Sequence, residues 1–567
     1  MFLLLFALIL MGAALATDYT ESTPSLCLHA FESAIDTDLF IELVNTHSDI
    51  SESVSVRKLG SRLVEADCAA LDTLLDPTNT SMSSKSVMPR LLHSLPSDTP
   101  MSHQNYVKDT LVYAKDTHGQ FDTDTDTDTP MHHQNYVKDT HGQVPCTDPE
   151  CGTLWHLSNP GYIEGYAGVD ITPNIDIDVL PAWDVTKGEG VTAVVVDQGV
   201  DGSHPDLATH WDSSVEGNYC TDSTDNPYYP GGSHGTSCAG LLAGGEADGS
   251  CGMGVAPDSN LSGRRVLCSA ATYGAFASSL SDHCDRIDVF SNSWGPTGCT
   301  GSGCIIYGDS NDVIIQAAIE GCLETGRNGK GSVYFFASGN EASYDGDPND
   351  YPYSRLPQVL SISSVGITGK PSYYSNHGAA VFAVTPSSGL TTQDGVSVNV
   401  GVTAPDQSSL ECNVLGFTGT SAATPIAAGV GVLALAANPD LQGVDIRHVL
   451  ANSCRVLDVS DESWTENGAG VMHSEYYGYG LLQASAAVTV AQAWGGTGQQ
   501  ETLSYDLDIH SSLVPARNST EYTVTVAGGV MVETVVVKPT LTAPQLTGLS
   551  ITVVSPSGTE SVVLRNR

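Results

Sequence analysis

The chain has 567 residues, enough for one large domain of three hundred or more residues with smaller attachments. Its 65 acids against 22 basic residues give a net charge of -43, which argues against nucleic acid or an anionic membrane as partner, because phosphate binding needs clustered Lys and Arg. An acidic surface of this kind attracts cations, calcium among them.

Met1 to Ala16 reads as a signal peptide: the apolar run Phe2 to Leu10 is followed by small residues ending Ala14-Leu15-Ala16, with cleavage expected after Ala16. The run is short for a membrane span, and no later stretch approaches the roughly 20 residues a span requires. The expectation is a secreted or Golgi-routed chain with no membrane span once the signal is removed. Fourteen cysteines in an exported chain then imply disulfides, and no CxxC pair with a distant match points to a metal site. Sequons at Asn79, Asn260 and Asn518 agree with export.

Between Thr17 and Pro145 only the stretch from Leu26 to Leu75 is apolar enough to fold. Asp98 to Thr110 returns as Asp128 to Thr140 with a single change, around an Asp-Thr tract. Two copies do not make a solenoid, and the low apolar content of residues 98–145 predicts a disordered linker. From about Thr147 the texture becomes α/β. Strands are predicted at Val191–Val196, Ile287–Phe290, Ser332–Phe336 and Val359–Val365, and helices at Asn311–Glu324, Ala422–Ala437 and Ala486–Ala493. The alternation predicts a mainly parallel sheet with helices on both faces. Past Trp494 the helices stop, and Glu521–Val526 and Leu549–Val554 alternate like strands of a small β domain.

Three segments carry chemistry. Val194-Val195-Val196-Asp197 is a strand ending on a carboxylate, where open α/β sheets gather their chemistry. Gly232-Ser233-His234-Gly235-Thr236 puts an imidazole at a predicted helix start among small residues. Gly419-Thr420-Ser421-Ala422-Ala423-Thr424-Pro425 puts a hydroxyl at the start of a long apolar helix. A lone Ser in that place is an ordinary N-cap. With Asp and His before it, the order matches that of subtilisin.

On these residues the chain resembles the subtilase family, and within it the kexin and furin branch. The likeness extends through Trp155-His156-Leu157, His204-Pro205-Asp206-Leu207, Ser293-Trp294-Gly295-Pro296, Ala383 to Gly389 and Tyr477 to Leu482. It implies a subtilisin-like peptidase domain over 146–495, a propeptide-like region over 17–97 that would bind the peptidase as its own inhibitor, and a partial P domain, a small β-sandwich, over 499–567. It implies Asp197, His234 and Ser421 as the catalytic triad and Asn340 as oxyanion-hole donor. Ser293, Trp294, Gly295, Ala337, Ser338 and Gly339 would present backbone to an extended protein or peptide substrate. Calcium is the implied cofactor, with Asp148, Asp206 and Asp248 as side-chain ligands; Asp222 and Asp225 sit in a degraded pattern and are left out of that set. Cys251 and Cys412 correspond to a disulfide of the branch, and Cys238 to its unpaired cysteine.

The chain departs from the branch where a basic substrate residue needs acids. Thr297-Gly298 replaces an acidic stretch, Gln198 and Asn376 stand where Asp and Glu are expected, and Leu267 to Leu280 has no acid. Asp345, Asp347 and Asp350 are the available substitutes. Cleavage after paired basic residues is therefore not expected of a limited-proteolysis enzyme built this way. Its rivals are a catalytically silent secreted binding protein and a broad-specificity degradative subtilase.

Overall fold

Continuous apolar runs become buried parallel strands. In chain order these are β1 (Thr192–Asp197), β2 (Gly217–Asn218), β3 (Asn260–Arg265), β4 (Val289–Asn292), β5 (Val333–Ala337), β6 (Leu360–Val365), β7 (Val381–Pro386), β8 (Cys454–Arg455) and β9 (Leu481–Leu482). They form one nine-stranded sheet in the order β8-β9-β7-β6-β5-β4-β1-β3-β2, parallel except for β8 against β9. Successive side chains point to opposite faces, so each strand feeds two cores. Ala193, Val195, Val289, Val333, Phe335 and Ile362 pack on one face with helices α1 (His234–Ala243), α4 (Thr420–Ala437) and α5 (Ala484–Ala493). Val194, Val196, Phe290, Tyr334 and Phe336 pack on the other with α2 (Tyr273–Ser281) and α3 (Asp312–Gly329). The regular part of α3 ends before Gly326, where ψ swings to 163°. Helix α4 is long and apolar enough to cross a membrane, yet 89% of it is buried inside the protein.

This computed structural model describes residues 151–220, 234–245, 251–295, 312–406 and 412–498 continuously, together with Val144, Asp148, Glu150 and shorter segments toward both ends. The chain divides into two units. In the unit made of Met1–Thr110, Tyr505–Glu521 and Lys538–Thr540, strands Leu26–Ala30, Leu63–Asp67 and Val56–Gly60 form an antiparallel sheet in that order, inside the stretch expected to fold. The unit made of Leu111–Ser504, Tyr522–Val537 and Leu541–Arg567 holds the nine-stranded sheet. The signal peptide and nearly all of the repeat lie outside the described residues.

Two expectations are corrected. Thr110–Lys115, inside the supposed linker, is a strand antiparallel to Met531–Val536; the run Leu111-Val112-Tyr113-Ala114, which belongs to neither repeat copy, was diluted by averaging over its polar surroundings. Glu521–Val526 forms no strand. Its alternation fits a strand, but strands exist by pairing, and this segment has no partner strand among the described residues. Ile551–Val554 does pair, with Glu560–Leu564, through a turn closed by Gly558 at φ 90°.

A buried cation steadies one half of the sheet. Arg264 on β3 is fully buried and donates to the carbonyls of Val215 (3.2 Å), Ser279 (2.7 Å) and Asp282 (2.5 Å), between the Tyr219 and Phe290 rings. Arg264→Leu removes the donor from three carbonyls at once, two of them buried, and is expected to cost on the order of 3 kcal/mol, read as a lowered urea midpoint with an unchanged m-value. An unchanged midpoint would mean those carbonyls are satisfied without it.

Candidate active site

The carboxyl ends of three adjacent parallel strands, β1, β4 and β5, deliver Asp197, Ser293 and the segment Ser338–Asn340 to one edge of the sheet. The strand order reverses between β1 and β4, the place where open α/β sheets leave a crevice. Helix α1 enters that crevice with His234 as its first residue. Its close approach depends on Gly235, because a Cβ there would lie 2.2 Å from the Gly199 carbonyl oxygen.

The result is a bifurcated contact: His234 Nδ1 sits 2.9 Å from Asp197 Oδ2 and 3.0 Å from Oδ1. Asp197 has no exposed side chain, whereas 31% of His234 faces outward. The Asp197 charge, against an opposing effect of burial, raises His234 above its ordinary value of 6.5. Asp197 Oδ1 also accepts the Gln198 backbone N–H at 2.7 Å. The Phe417 ring meets His234 edge-on at 5.6 Å.

Ser421 is the second residue of α4, whose N-cap is Gly419 at φ 88° with no side-chain cap, so its hydroxyl is not spent on capping. One turn on, Pro425 has no N–H to give the Ser421 carbonyl, which a helix would otherwise use. That carbonyl instead accepts from Ser293 Oγ at 2.9 Å and from Cys238 Sγ at 3.5 Å. Cys238 lies one turn beyond His234 on α1, so the same contact ties α4 to the histidine helix. Burial pushes the Cys238 thiol well above its usual range, keeping it protonated and a donor. Ser421 Oγ donates to the Ser293 carbonyl at 3.3 Å. Across the crevice, Asn340 Oδ1 accepts both the Thr420 N–H (2.9 Å) and the Thr420 hydroxyl (3.1 Å), which leaves the amide nitrogen as the end that donates.

The other expected residues fare unevenly. Ser293 is buried, Trp294 donates its indole N–H to the Val196 carbonyl at 2.9 Å, and Gly295 is open to solvent. Ala337 pairs with Ile362 in the sheet. Ser338 commits its N–H to the Ile362 carbonyl and its own carbonyl to Asn376 Nδ2, both at 2.9 Å. Ser338 is therefore buried wall rather than the substrate-facing edge expected of it, and Gly339 and Gly295 are the points where the two segments reach the surface. Cys251 and Cys412 are joined, with Cα atoms 5.2 Å apart, and Cys238 is unpaired.

Among the calcium candidates, Asp148 and Asp206 are buried. His204 Nδ1 accepts the Asp206 N–H at 3.2 Å and lies 4.0 Å from Asp206 Oδ1. Both Asp206 oxygens also take the Cys251 N–H, at 3.2 and 3.3 Å. Asp248, Asp222 and Asp225 lie outside the described residues, as do Thr297 and Gly298.

Of the acids that were to replace a basic-residue pocket, Asp345 is exposed, Asp347 is buried in an ion pair with Arg565 Nε at 3.1 Å, and Asp350 is buried in the field of Arg355. Sequence reasoning missed Thr420, Pro425 and Glu341. The only signal for Glu341 was adjacency to Asn340.

Residues 188–480 match the model of the subtilase family. Neuroendocrine convertase 2 of Rattus norvegicus is 35% identical over 362 residues, 62% of this chain and 54% of that protein. A PC3-like endoprotease, variant B, of Hydra vulgaris is 34% identical over 355 residues, 61% of this chain and 47% of that protein. The chain thus spans about half the length of these relatives. The solved serine protease of Aeromonas sobria superposes with a TM-score of 0.54 at 22% identity, over 65% of this chain and 72% of that one.

Proposed function

Because the chain belongs to the subtilase family, we propose that it is a secretory-pathway serine endopeptidase of the convertase kind, made as a zymogen with its own propeptide as partner and cutting proteins at few sites. The observation that carries this reading is the Asp197–His234 contact at 2.9 Å beside a Ser421 whose backbone is tied to the histidine helix. Ser421 attacks the peptide carbonyl as His234 Nε2 takes its proton, and His234 returns that proton to the leaving amine. Asp197 holds the tautomer and the developing cation. The Asn340 amide and the Ser421 N–H receive the oxyanion, where one preorganised donor is worth about 10²–10³ in rate.

Calcium is the proposed structural cofactor, a hard cation that Asp148, Asp206 and Asp248 would hold through side-chain oxygens. Chelation should lower the melting temperature, because a ligand bound only by the folded state stabilises it by mass action, and Asp206→Ala should mimic chelation. If neither moves the melting temperature, the ligand set is wrong.

For specificity, we propose cleavage after apolar or small polar residues at least as readily as after Arg. Support comes from Asn376 at an expected Glu position and from Asp347 already being paired with Arg565. A substrate Arg that meets no carboxylate loses hydration without a charge partner, a penalty of several kcal/mol, and the exposed Asp345 is the acid that would restore a basic preference. Matched peptides differing only in Arg, Lys, Leu, Phe or Gln before the scissile bond test both activity and preference. Cleavage of the Leu, Phe and Gln peptides is expected at rates equal to or above those of the basic ones, and a hundredfold preference for Arg would overturn the specificity.

A further inference from the structure

An amide can stabilise an oxyanion only if the backbone carrying it is held still, because a donor that must reorganise during reaction loses much of its advantage. Thr420 fixes the Asn340 side chain by gripping its Oδ1, as above. The Asn340 peptide is gripped separately, by the residue that follows it. Glu341 Oε2 accepts the Asn340 backbone N–H at 2.8 Å. The same oxygen accepts from the Tyr351 hydroxyl at 2.5 Å and from Asn376 Nδ2 at 3.0 Å. Asn376 is fully buried, and its Oδ1 takes the Glu341 N–H at 2.7 Å while its Nδ2 also reaches the Ser338 carbonyl at 2.9 Å. The chain from Ser338 to Glu341 is therefore pinned at successive residues to one buried amide and one carboxylate. Gly339, at φ +104°, lies directly over this group: a Cβ there would stand 2.3 Å from Asn376 Nδ2 and 2.6 Å from Glu341 Oε2.

We infer that Glu341 is the positioning residue of the oxyanion hole, its carboxylate locking the Asn340 peptide so that the side-chain amide is preorganised for the transition state. Tyr351 and Asn376 aim that carboxylate from behind, and the burial and Glu341 contact that raise the Tyr351 phenol keep its hydroxyl protonated as a donor. Glu341 touches no reacting atom. Its effect passes entirely through Asn340, and the inference rests on Asn340 being the oxyanion donor.

The test is a double-mutant cycle on the full-length protein, with kcat and KM measured per folded molecule for wild type, Asn340→Ala, Glu341→Ala, Glu341→Gln and Asn340→Ala/Glu341→Ala, and with Tyr351→Phe as a milder disturbance should Glu341→Ala not fold. Glu341→Ala is expected to lower kcat about 10- to 100-fold with KM held within about twofold. Glu341→Gln, which keeps an acceptor for the Asn340 N–H, should recover most of that loss. In the Asn340→Ala background the Glu341 substitution should cost almost nothing further, since neighbours acting as a unit are non-additive. A purely structural role would lower the melting temperature and leave kcat of the folded fraction unchanged. That result, or multiplicative losses in the double mutant, overturns the inference while leaving Asn340 in place. An Asn340→Ala enzyme with wild-type kcat would instead remove Asn340 from the oxyanion hole.

Discussion

Ser421→Ala is expected to lower peptide hydrolysis by about 10⁵–10⁶-fold, the scale on which loss of the nucleophile disables an acyl-transfer triad. The substitution removes one oxygen whose hydrogen bond is to the Ser293 carbonyl at 3.3 Å, and it leaves the Ser421 carbonyl anchored by Ser293 and Cys238. The melting temperature should therefore stay where it was. Turnover on a fluorogenic peptide together with a thermal unfolding curve checks both halves. Loss of activity accompanied by loss of structure would leave the assignment of Ser421 as nucleophile without support.

Asp197→Asn is expected to lower turnover by about 10⁴-fold, and for a reason visible in the hydrogen bonds. If the Asn carbonyl keeps the Gln198 N–H that Asp197 Oδ1 now accepts, its NH₂ group takes the place of Oδ2 and faces His234 Nδ1. Nδ1 must then accept, the ring proton moves to Nε2, and the base has no lone pair for Ser421. The pH profile supplies a second readout. In the wild type the Asp197 charge raises His234 above 6.5, so kcat/KM should fall as pH drops through a value above 6.5, where the imidazole becomes a cation and stops accepting protons. Removing the charge should move that acid limb to lower pH. A limb that does not move would separate His234 from the rate.

The central strands were legible because buried parallel strands need apolar residues on both faces, so Val194 to Val196 or Val333 to Phe336 read as unbroken runs. Their ends slipped by a residue: Val191 is buried but precedes the first ladder contact, and polar Asp197 belongs to the strand it terminates. The candidate site was legible for a different reason, since Asp197, His234 and Ser421 stand in short segments whose small neighbours permit close packing. What the sequence hid is contact between distant residues. The ties from Asn376 to Glu341 and from Arg565 to Asp347 join side chains 35 and 218 positions apart, and no local pattern encodes either. Glu521 to Val526 shows the opposite failure, a local strand pattern with no partner strand among the described residues.

The most direct test of a working triad is covalent labelling of the folded, calcium-loaded protein with a fluorophosphonate, followed by mass spectrometry of the digested adduct. The account predicts a single modification on the peptide bearing Ser421, abolished by Ser421→Ala and slowed severely by Asp197→Asn. No adduct in folded wild-type protein, or an adduct that persists in Ser421→Ala, would contradict it.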